Sequence, residues 1–522
     1  MPVSYLGRVL CQSFVVVMCF VSIEGRAGWD ELFDEGAQAL YQAVEAELLA
    51  NQAGEKPAEH DANSATESEQ PLAKTPSHWQ VHIDDEPVFN SRLFSIETGE
   101  EHRQTVVLIH GLGVSGLRDW LKVVPALEQR YHVIALDLPG FGLSAKPDGR
   151  YSPTNYAKVI EWLVKKYAHG KVVVVGHSMG GAVALRYAAD FPASVEKLVL
   201  VDAAGILEQT AFVKHSVALP INPDYIPPAL TRKSAQLNDF VSYWVEKISA
   251  VPDVTEVVSA SDMLWSYTFS GQTNANAALA LVKEDFTAAI RKLPHETIII
   301  WGRLDRIAPL RTGEMLAGRL ANASLFIMEN SKHVPMNSHP EEFNRLLQAA
   351  LEPAVVVNNH SDNNDADNET KVKPAELISK GNFSCNQQDG IVISGRYDTI
   401  DINNCTAITL RDVVANKLII KQSLVEFYNT HVHSDGTALT LLNAVVVATN
   451  SVFSGELGLS IDAARIDFAG VSIVGQRKAV EVGEESRLVF SVSDISSETY
   501  TGDVHGVYSG AHFLLDNRLA ED

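Results

Sequence analysis

The sequence predicts an α/β domain over residues 78–352, with a doubly wound, mostly parallel sheet and a helical cap, followed by an all-β domain over 375–515. Three observations carry that expectation. In the first region short β-branched apolar runs alternate with helical stretches, the pattern of strands buried on both faces of a parallel sheet. Those runs stop between 206 and 285, where the residues read as mainly helical and aromatic, as an insertion into the sheet would. In the last region helical periodicity is almost lost, and pairs of apolar residues recur about every 20 residues.

Composition sets the outer bounds. A chain of 522 residues, 46% hydrophobic and 20% charged, can bury a sizeable core. At roughly 150 residues per domain it holds two to four domains. Its formal net charge of -23 repels phosphate backbones, and no basic patch offsets it, so nucleic acid is not expected as a partner. With Gly 33, Pro 21 and Cys 4, collagen-like, low-complexity and disulfide-dense scaffolds are excluded.

The first element, residues 1–27, reads as a secretory signal peptide. Arg8 precedes an apolar run from Val9 to Ile23, interrupted by Gln12, Ser13 and Ser22, and Gly25 and Ala27 supply small residues before a cleavage point at Gly28. The run is shorter than the roughly 20 residues that span a bilayer. The alternatives are an uncleaved anchor and, more weakly, a lipobox ending at Cys19, where Met18 is bulky for the position. The expected location is therefore the periplasm or the exterior, free or tethered by the N-terminal segment. Cleavage would remove Cys11 and Cys19 and leave Cys385 and Cys405, an even pair that in an exported chain suggests a disulfide, with two free thiols as the alternative.

Residues 28–50 carry apolar positions at helical spacing and predict an amphipathic helix, and 51–77, rich in Ala, Glu, Ser and Pro, predict an acidic linker. In the α/β region the expected strands are Thr105–Ile109, Tyr131–Leu136, Lys171–Val175, Val195–Val201, Thr297–Trp301 and Ser324–Met328. Expected helices include Asn155–Tyr167, Ala182–Asp190 and Glu341–Leu351. A second acidic, Asn-rich linker covers 353–374. Beyond it the apolar pairs Ile400 and Ile402, Leu418 and Ile420, Leu439 and Leu441, and Leu457 and Leu459 suggest the stacked coils of a parallel β-helix, with Asn and Gly at the corners. Cys385 and Cys405, 20 residues apart, would then stack on adjacent coils. A β-sandwich with evenly spaced strands is the alternative.

The chemistry begins at Lys171–Gly181, KVVVVGHSMGG, where a buried strand runs into Gly176-His177-Ser178-Met179-Gly180 and then a helix. A serine in G-x-S-x-G at a strand-to-helix turn presents its hydroxyl from a strained backbone, so Ser178 is the expected nucleophile. A hydroxyl needs a base and an orienting acid. Asp305 follows one buried strand and His333 the next, both at the C-terminal strand ends where an open α/β sheet gathers its site. Asp202 also ends a strand and rivals Asp305 for the acid. Oxyanion donors are expected at the amides of Met179, directly after the nucleophile, and Leu112, in His110-Gly111-Leu112-Gly113. His110 reads as a buried hydrogen-bonding residue and not a base. No H-E-x-x-H and no tight Cys/His cluster occurs, so neither a metal nor a cofactor is expected.

In HGLG at 110–113, DLPGFGLS at 137–144, GHSMGG at 176–181, WGRLDRIAP at 301–309 and KHVPMNSHPEEFN at 332–344, the chain resembles the α/β-hydrolase fold family, in its capped, serine-nucleophile branch. The resemblance covers about 79–352. It implies a Ser178, Asp305, His333 triad with Leu112 and Met179 as the oxyanion hole, and it implies a variable cap over 206–285. Serine at the nucleophile position disfavours the related dehalogenases and epoxide hydrolases. Lys332 departs from the glycine usual before the histidine, and Asp137–Gly142 reads as a tight turn. Within the cap, Phe212, Tyr225, Phe240, Tyr243, Trp244, Trp265, Tyr267 and Phe269 supply either pocket wall or cap core.

The expected function is that of an exported serine hydrolase that cleaves a small-molecule carboxylic ester or related acyl compound through an acyl-enzyme. The β-repeat domain would attach it to envelope polysaccharide or protein. Two rivals stand beside that expectation. One is an adhesion protein with a non-catalytic hydrolase scaffold; the other is a C–C hydrolase or haloperoxidase-like enzyme using the same triad.

Overall fold

The computed structural model describes residues 76–113, 116–211, 261–352, 378–510 and 513, apart from the side chain of Tyr267. The expectations for 1–27, 28–50, 353–374 and nearly all of 51–77 lie outside them, as do Phe212, Tyr225, Phe240, Tyr243 and Trp244. The chain divides into two compact units, taken in turn.

The first is built on an eight-stranded sheet in the order β1-β2-β4-β3-β5-β6-β7-β8. Its strands are β1 (Gln80–Glu86), β2 (Ser91–Thr98), β3 (Thr105–Ile109), β4 (His132–Asp137), β5 (Val172–His177), β6 (Val195–Val201), β7 (Glu296–Gly302) and β8 (Ala323–Met328). From β4 to β8 all neighbours are parallel, whereas β1 with β2 and β2 with β4 are antiparallel. The central strands are apolar runs because helices cover both faces, and Val106, Val107, Leu108, Val174, Leu198 and Ile299 are sealed from solvent.

All six expected strands form, Thr105–Ile109 and Val195–Val201 with the expected ends and the other four with ends shifted by a residue or two. Two expectations need correction. Residues 80–98, assigned no element from sequence, form a hairpin at the sheet edge, where polar and apolar residues alternate along β1. β8 was expected to be buried on both faces, but it lies at the opposite edge and its exposure alternates along its length.

Helices α1 (Pro153–Tyr167) and α2 (Met179–Asp190) follow β4 and β5. Ser152 caps α1, its hydroxyl accepting from the Asn155 amide at 3.2 Å, and Pro153 occupies the first turn, where a missing N–H costs nothing. Of the cap, the described part holds α3 (Asp262–Phe269) and α4 (Thr273–Val282). There Trp265 and Phe269 pack with Leu279 and Ala280. The Trp265 indole N–H donates to Asn276 Oδ1 at 2.8 Å, so both aromatics are cap core.

The second unit is all-β. Its strands are β9 (Phe383–Asn386), β10 (Val392–Asn403), β11 (Ile408–Lys421), β12 (Leu424–Tyr428), β13 (His431–His433), β14 (Thr437–Leu442), β15 (Val445–Thr449), β16 (Val452–Asp462), β17 (Arg465–Ala469), β18 (Ser472–Val482), β19 (Arg487–Ser496) and β20 (Thr501–Ser509). Strand pairing is parallel up to β19, and each row advances by one repeat: Val425 pairs with Val446, Val446 with Ile466, and Ile466 with Leu488. All four are buried. Inside, Phe427, Phe453, Phe468 and Phe490 follow one another with ring centroids 5.9, 5.8 and 6.0 Å apart. Asn404, Asn429, Asn443 and Asn450 take φ of 48–54° at corners, the left-handed conformation asparagine tolerates best among residues with a side chain.

Three details depart from the sequence reading. Leu439 and Leu441 pair with Leu459 and Ile461, so the fourth apolar pair is shifted by two residues from Leu457 and Leu459. The disulfide between Cys385 and Cys405 is present, but Cys385 lies opposite Ile402, so the bond runs diagonally to a residue beyond the end of β10, with Cα atoms 6.6 Å apart. The last pairing, β19 with β20, is antiparallel.

Candidate active site

The sheet brings three loops together at the C-terminal ends of β5, β7 and β8. Ser178 sits between β5 and α2 with φ 53° and ψ -120°, a conformation that is strained for any residue with a side chain. Its amide donates to Val201 O at 2.9 Å, and its carbonyl accepts from the amides of Gly181 and Ala204, at 2.9 and 3.1 Å. Two glycines make the turn possible. A Cβ at Gly176 would lie 2.1 Å from the Gly180 carbonyl oxygen, and one at Gly180 would lie 2.3 Å from that of Ile109.

Asp305 follows β7 in a turn closed by its own amide on Gly302 O at 3.2 Å. Its carboxylate is sealed from solvent. One oxygen accepts from the Ile307 and Ala308 amides at 2.8 and 3.1 Å, and the other accepts His333 Nδ1–H at 2.8 Å. With Nδ1 carrying the proton, His333 Nε2 is the acceptor that faces Ser178 Oγ at 2.9 Å. The hydroxyl, imidazole and carboxylate named from sequence thus form one chain of hydrogen bonds. Asp202, the rival acid, is fully buried and accepts the Gly302 amide at 2.8 Å.

The supporting groups are placed as follows. A Cβ on Gly111 would lie 2.9 Å from Ser178 Cβ, so the HGLG loop abuts the serine, with Leu112 at its exposed tip. Met179 begins α2, where an amide has no intrahelical acceptor. His110 is a structural pin: its Nε2 accepts the Leu138 amide at 2.9 Å and its Nδ1–H donates to Gly111 O at 2.6 Å. Burial keeps it neutral by lowering its pKa. Asp137 brackets the tight turn, accepting the amides of Leu117 and Leu143 at 2.7 Å each. Lys332 does not adopt a positive φ, and its side chain is exposed, so the loop before His333 does not require glycine.

Sequence reasoning missed His177. It is the buried last residue of β5, directly before Ser178; its Nε2–H donates to the His333 carbonyl at 2.7 Å, and its ring centroid is 5.0 Å from that of His333. Burial, reinforced by His333, pushes its pKa down to about 3, so it stays uncharged at neutral pH. It occupies the variable position of G-x-S-x-G, which carries no signal of its own. Among the described residues, no group of three His, Cys, Asp or Glu side chains could hold a metal.

Comparison with known proteins bears on residues 106–346, which match the model of the Alpha/beta hydrolase family. An uncharacterised protein of Mycobacterium tuberculosis is 31% identical over 259 residues, 47% of this chain and 75% of that one. The 2-hydroxy-6-oxo-6-(2'-aminophenyl)hexa-2,4-dienoic acid hydrolase of Metapseudomonas resinovorans is 28% identical over 46% of this chain and 81% of its own. Among solved structures, a membrane phospholipase A described as a bacterial virulence factor is 24% identical over 61% of this chain and 97% of that one, with a TM-score of 0.40.

Proposed function

The chain belongs to the alpha/beta hydrolase family, and on that premise we propose that it is an exported serine hydrolase cleaving a carboxylic ester or related acyl compound through an acyl-enzyme. The observation that carries this reading is the hydrogen-bond chain from Ser178 Oγ through His333 to Asp305, at 2.9 and 2.8 Å. Ser178 Oγ attacks the carbonyl carbon as His333 Nε2 takes its proton. The resulting oxyanion is held by the Met179 and Leu112 amides, and Asp305 stabilises the imidazolium. Collapse expels the alcohol, which receives the proton from His333. Water, deprotonated by the same nitrogen, then releases the acid and restores the serine.

A second reading keeps these residues and changes the bond. The relative from Metapseudomonas resinovorans is named as a hydrolase of a 2-hydroxy-6-oxo dienoic acid, which favours C–C cleavage as the alternative. Export is supported by the apolar segment from Val9 to Ile23 and by the disulfide. The second unit's pairing, one repeat to the next, supports reading it as a parallel β-helix that attaches the enzyme to envelope polysaccharide or protein.

Intact-mass analysis after fluorophosphonate treatment tests the central claim. The wild type should gain one probe adduct, and S178A should gain none. A folded wild type that stays unlabelled would sink the serine-hydrolase reading and leave the adhesion role. A panel of p-nitrophenyl esters beside a 2-hydroxy-6-oxo dienoate then separates ester from C–C cleavage.

A further inference from the structure

Asp202, directly after β6, is a buried acidic residue that the reaction above does not use, and its surroundings give it a task. Its backbone is left-handed, at φ 43°, and its amide donates to Ile300 O at 3.1 Å, so the end of β6 is tied to β7. Its Oδ1 accepts the Gly302 amide at 2.8 Å. Gly302 is where the two loops of the site meet. Its carbonyl accepts the Asp305 amide at 3.2 Å, and a Cβ on it would lie 2.5 and 2.6 Å from the carbonyl oxygens of Lys332 and Ser331, directly before His333. Holding the Gly302 amide therefore fixes the position of Asp305 and the approach of the His333 loop together.

The two buried carboxyls divide their roles by their donors. Asp305 receives three N–H groups, from the Ile307 and Ala308 amides and the His333 imidazole. Asp202 receives one, and its Oδ2 has no protein donor within hydrogen-bonding distance. Ionised, it would place a second, unsolvated charge beside Asp305; protonated, it has the Asp305 carboxylate as its acceptor. Burial first, and the Asp305 charge second, raise its pKa well above the usual carboxylate range.

We propose that Asp202 is a positioning residue, a neutral carboxylic acid that holds Gly302 and through it aligns Asp305 and His333. The inference rests on the serine-hydrolase reading, and the tests separate the two. Labelling of wild-type Ser178 by a fluorophosphonate decides that reading. Given labelling, D202N should react within about twofold of wild type, because the amide keeps an acceptor for Gly302 N–H and a donor for Asp305. D202A, which loses both, should react about 10- to 100-fold more slowly.

The ionisable groups facing the His333 imidazole are Asp305 and, from β5, His177. If Asp202 is neutral, the acid limb of the labelling rate against pH is the same in D202N as in wild type. A fall in that limb's midpoint would mean that D202N had removed a negative charge, and would overturn the proposal. Isotope-edited infrared spectra of protein labelled with 13C-aspartate supply a readout independent of reactivity and of D202A folding. The carbonyl band of a protonated acid should be present in wild type and lost in D202N. Absence of that band in wild type, or wild-type labelling in a folded D202A, would also refute it.

Discussion

The two units bury their strands with opposite wiring, the central α/β strands on both faces and the strands of the β unit on one. In the α/β unit the residues that meet are far apart in sequence: Ser178, Asp305 and His333 come from three loops, and the turn that presents Ser178 needs Gly180 pressed against Ile109. In the β unit each strand meets the strand one repeat away, so Val446 touches Val425 before it and Ile466 after it. Long-range wiring lets one displaced atom reach the whole site. Nearest-neighbour wiring confines damage to adjacent repeats and spreads stability along a row.

The largest test of this contrast is Phe453→Ala, which removes a ring lying between Phe427 and Phe468. It should cost the β unit about 3–5 kcal/mol, seen as a lower transition in calorimetry, while fluorophosphonate labelling of Ser178 keeps its wild-type rate. A parallel loss of labelling would break the contrast. Next, replacing both Cys385 and Cys405 by alanine should lower the same transition by about 3 kcal/mol, because the bond closes a loop with a sequence separation of 20. In the other unit, Gly180→Ala should slow labelling about 100-fold while leaving the β transition in place, since the new methyl meets the Ile109 carbonyl, which cannot turn aside.

The smallest effect is a pH slope. Folding holds the His177 pKa at about 3, below its ordinary value of 6.5, so the unfolded chain binds the extra proton between those values. Stability of the α/β unit therefore falls as pH drops through that window. Replacing His177 with asparagine should flatten the slope by up to one proton, about 1.4 kcal/mol per pH unit, as read from urea unfolding at pH 4 to 6. An unchanged slope would show that His177 is not held neutral.

What could be read from the sequence follows the same division. The strands from Thr105 to Trp301 were legible because a strand buried on both faces is an unbroken apolar run, and such runs have sharp ends. The edge hairpin at 80–98 was not, since alternating exposure over seven or eight residues resembles a polar loop. Asp305 and His333 were found because open α/β sheets collect their sites at strand ends. Asp202 shares that address, and only the contact of His333 with Asp305 separates the two acids. In the β unit the period was visible but its exact register was not. The repeats differ in length, and Leu457, two residues before Leu459, mimics a core position that Leu459 occupies.

The disulfide has a consequence beyond the unit it closes. β9 pairs with β10 on one side, and among the described residues no other strand lies against its second edge. At the far end of the row, β20 turns antiparallel and covers β19. An edge that frays can recruit strands from other molecules, and the Cys385–Cys405 bond keeps this one from fraying. Reduction should therefore loosen β9 from β10 while the hydrogen-bond chain at Ser178 stays in place.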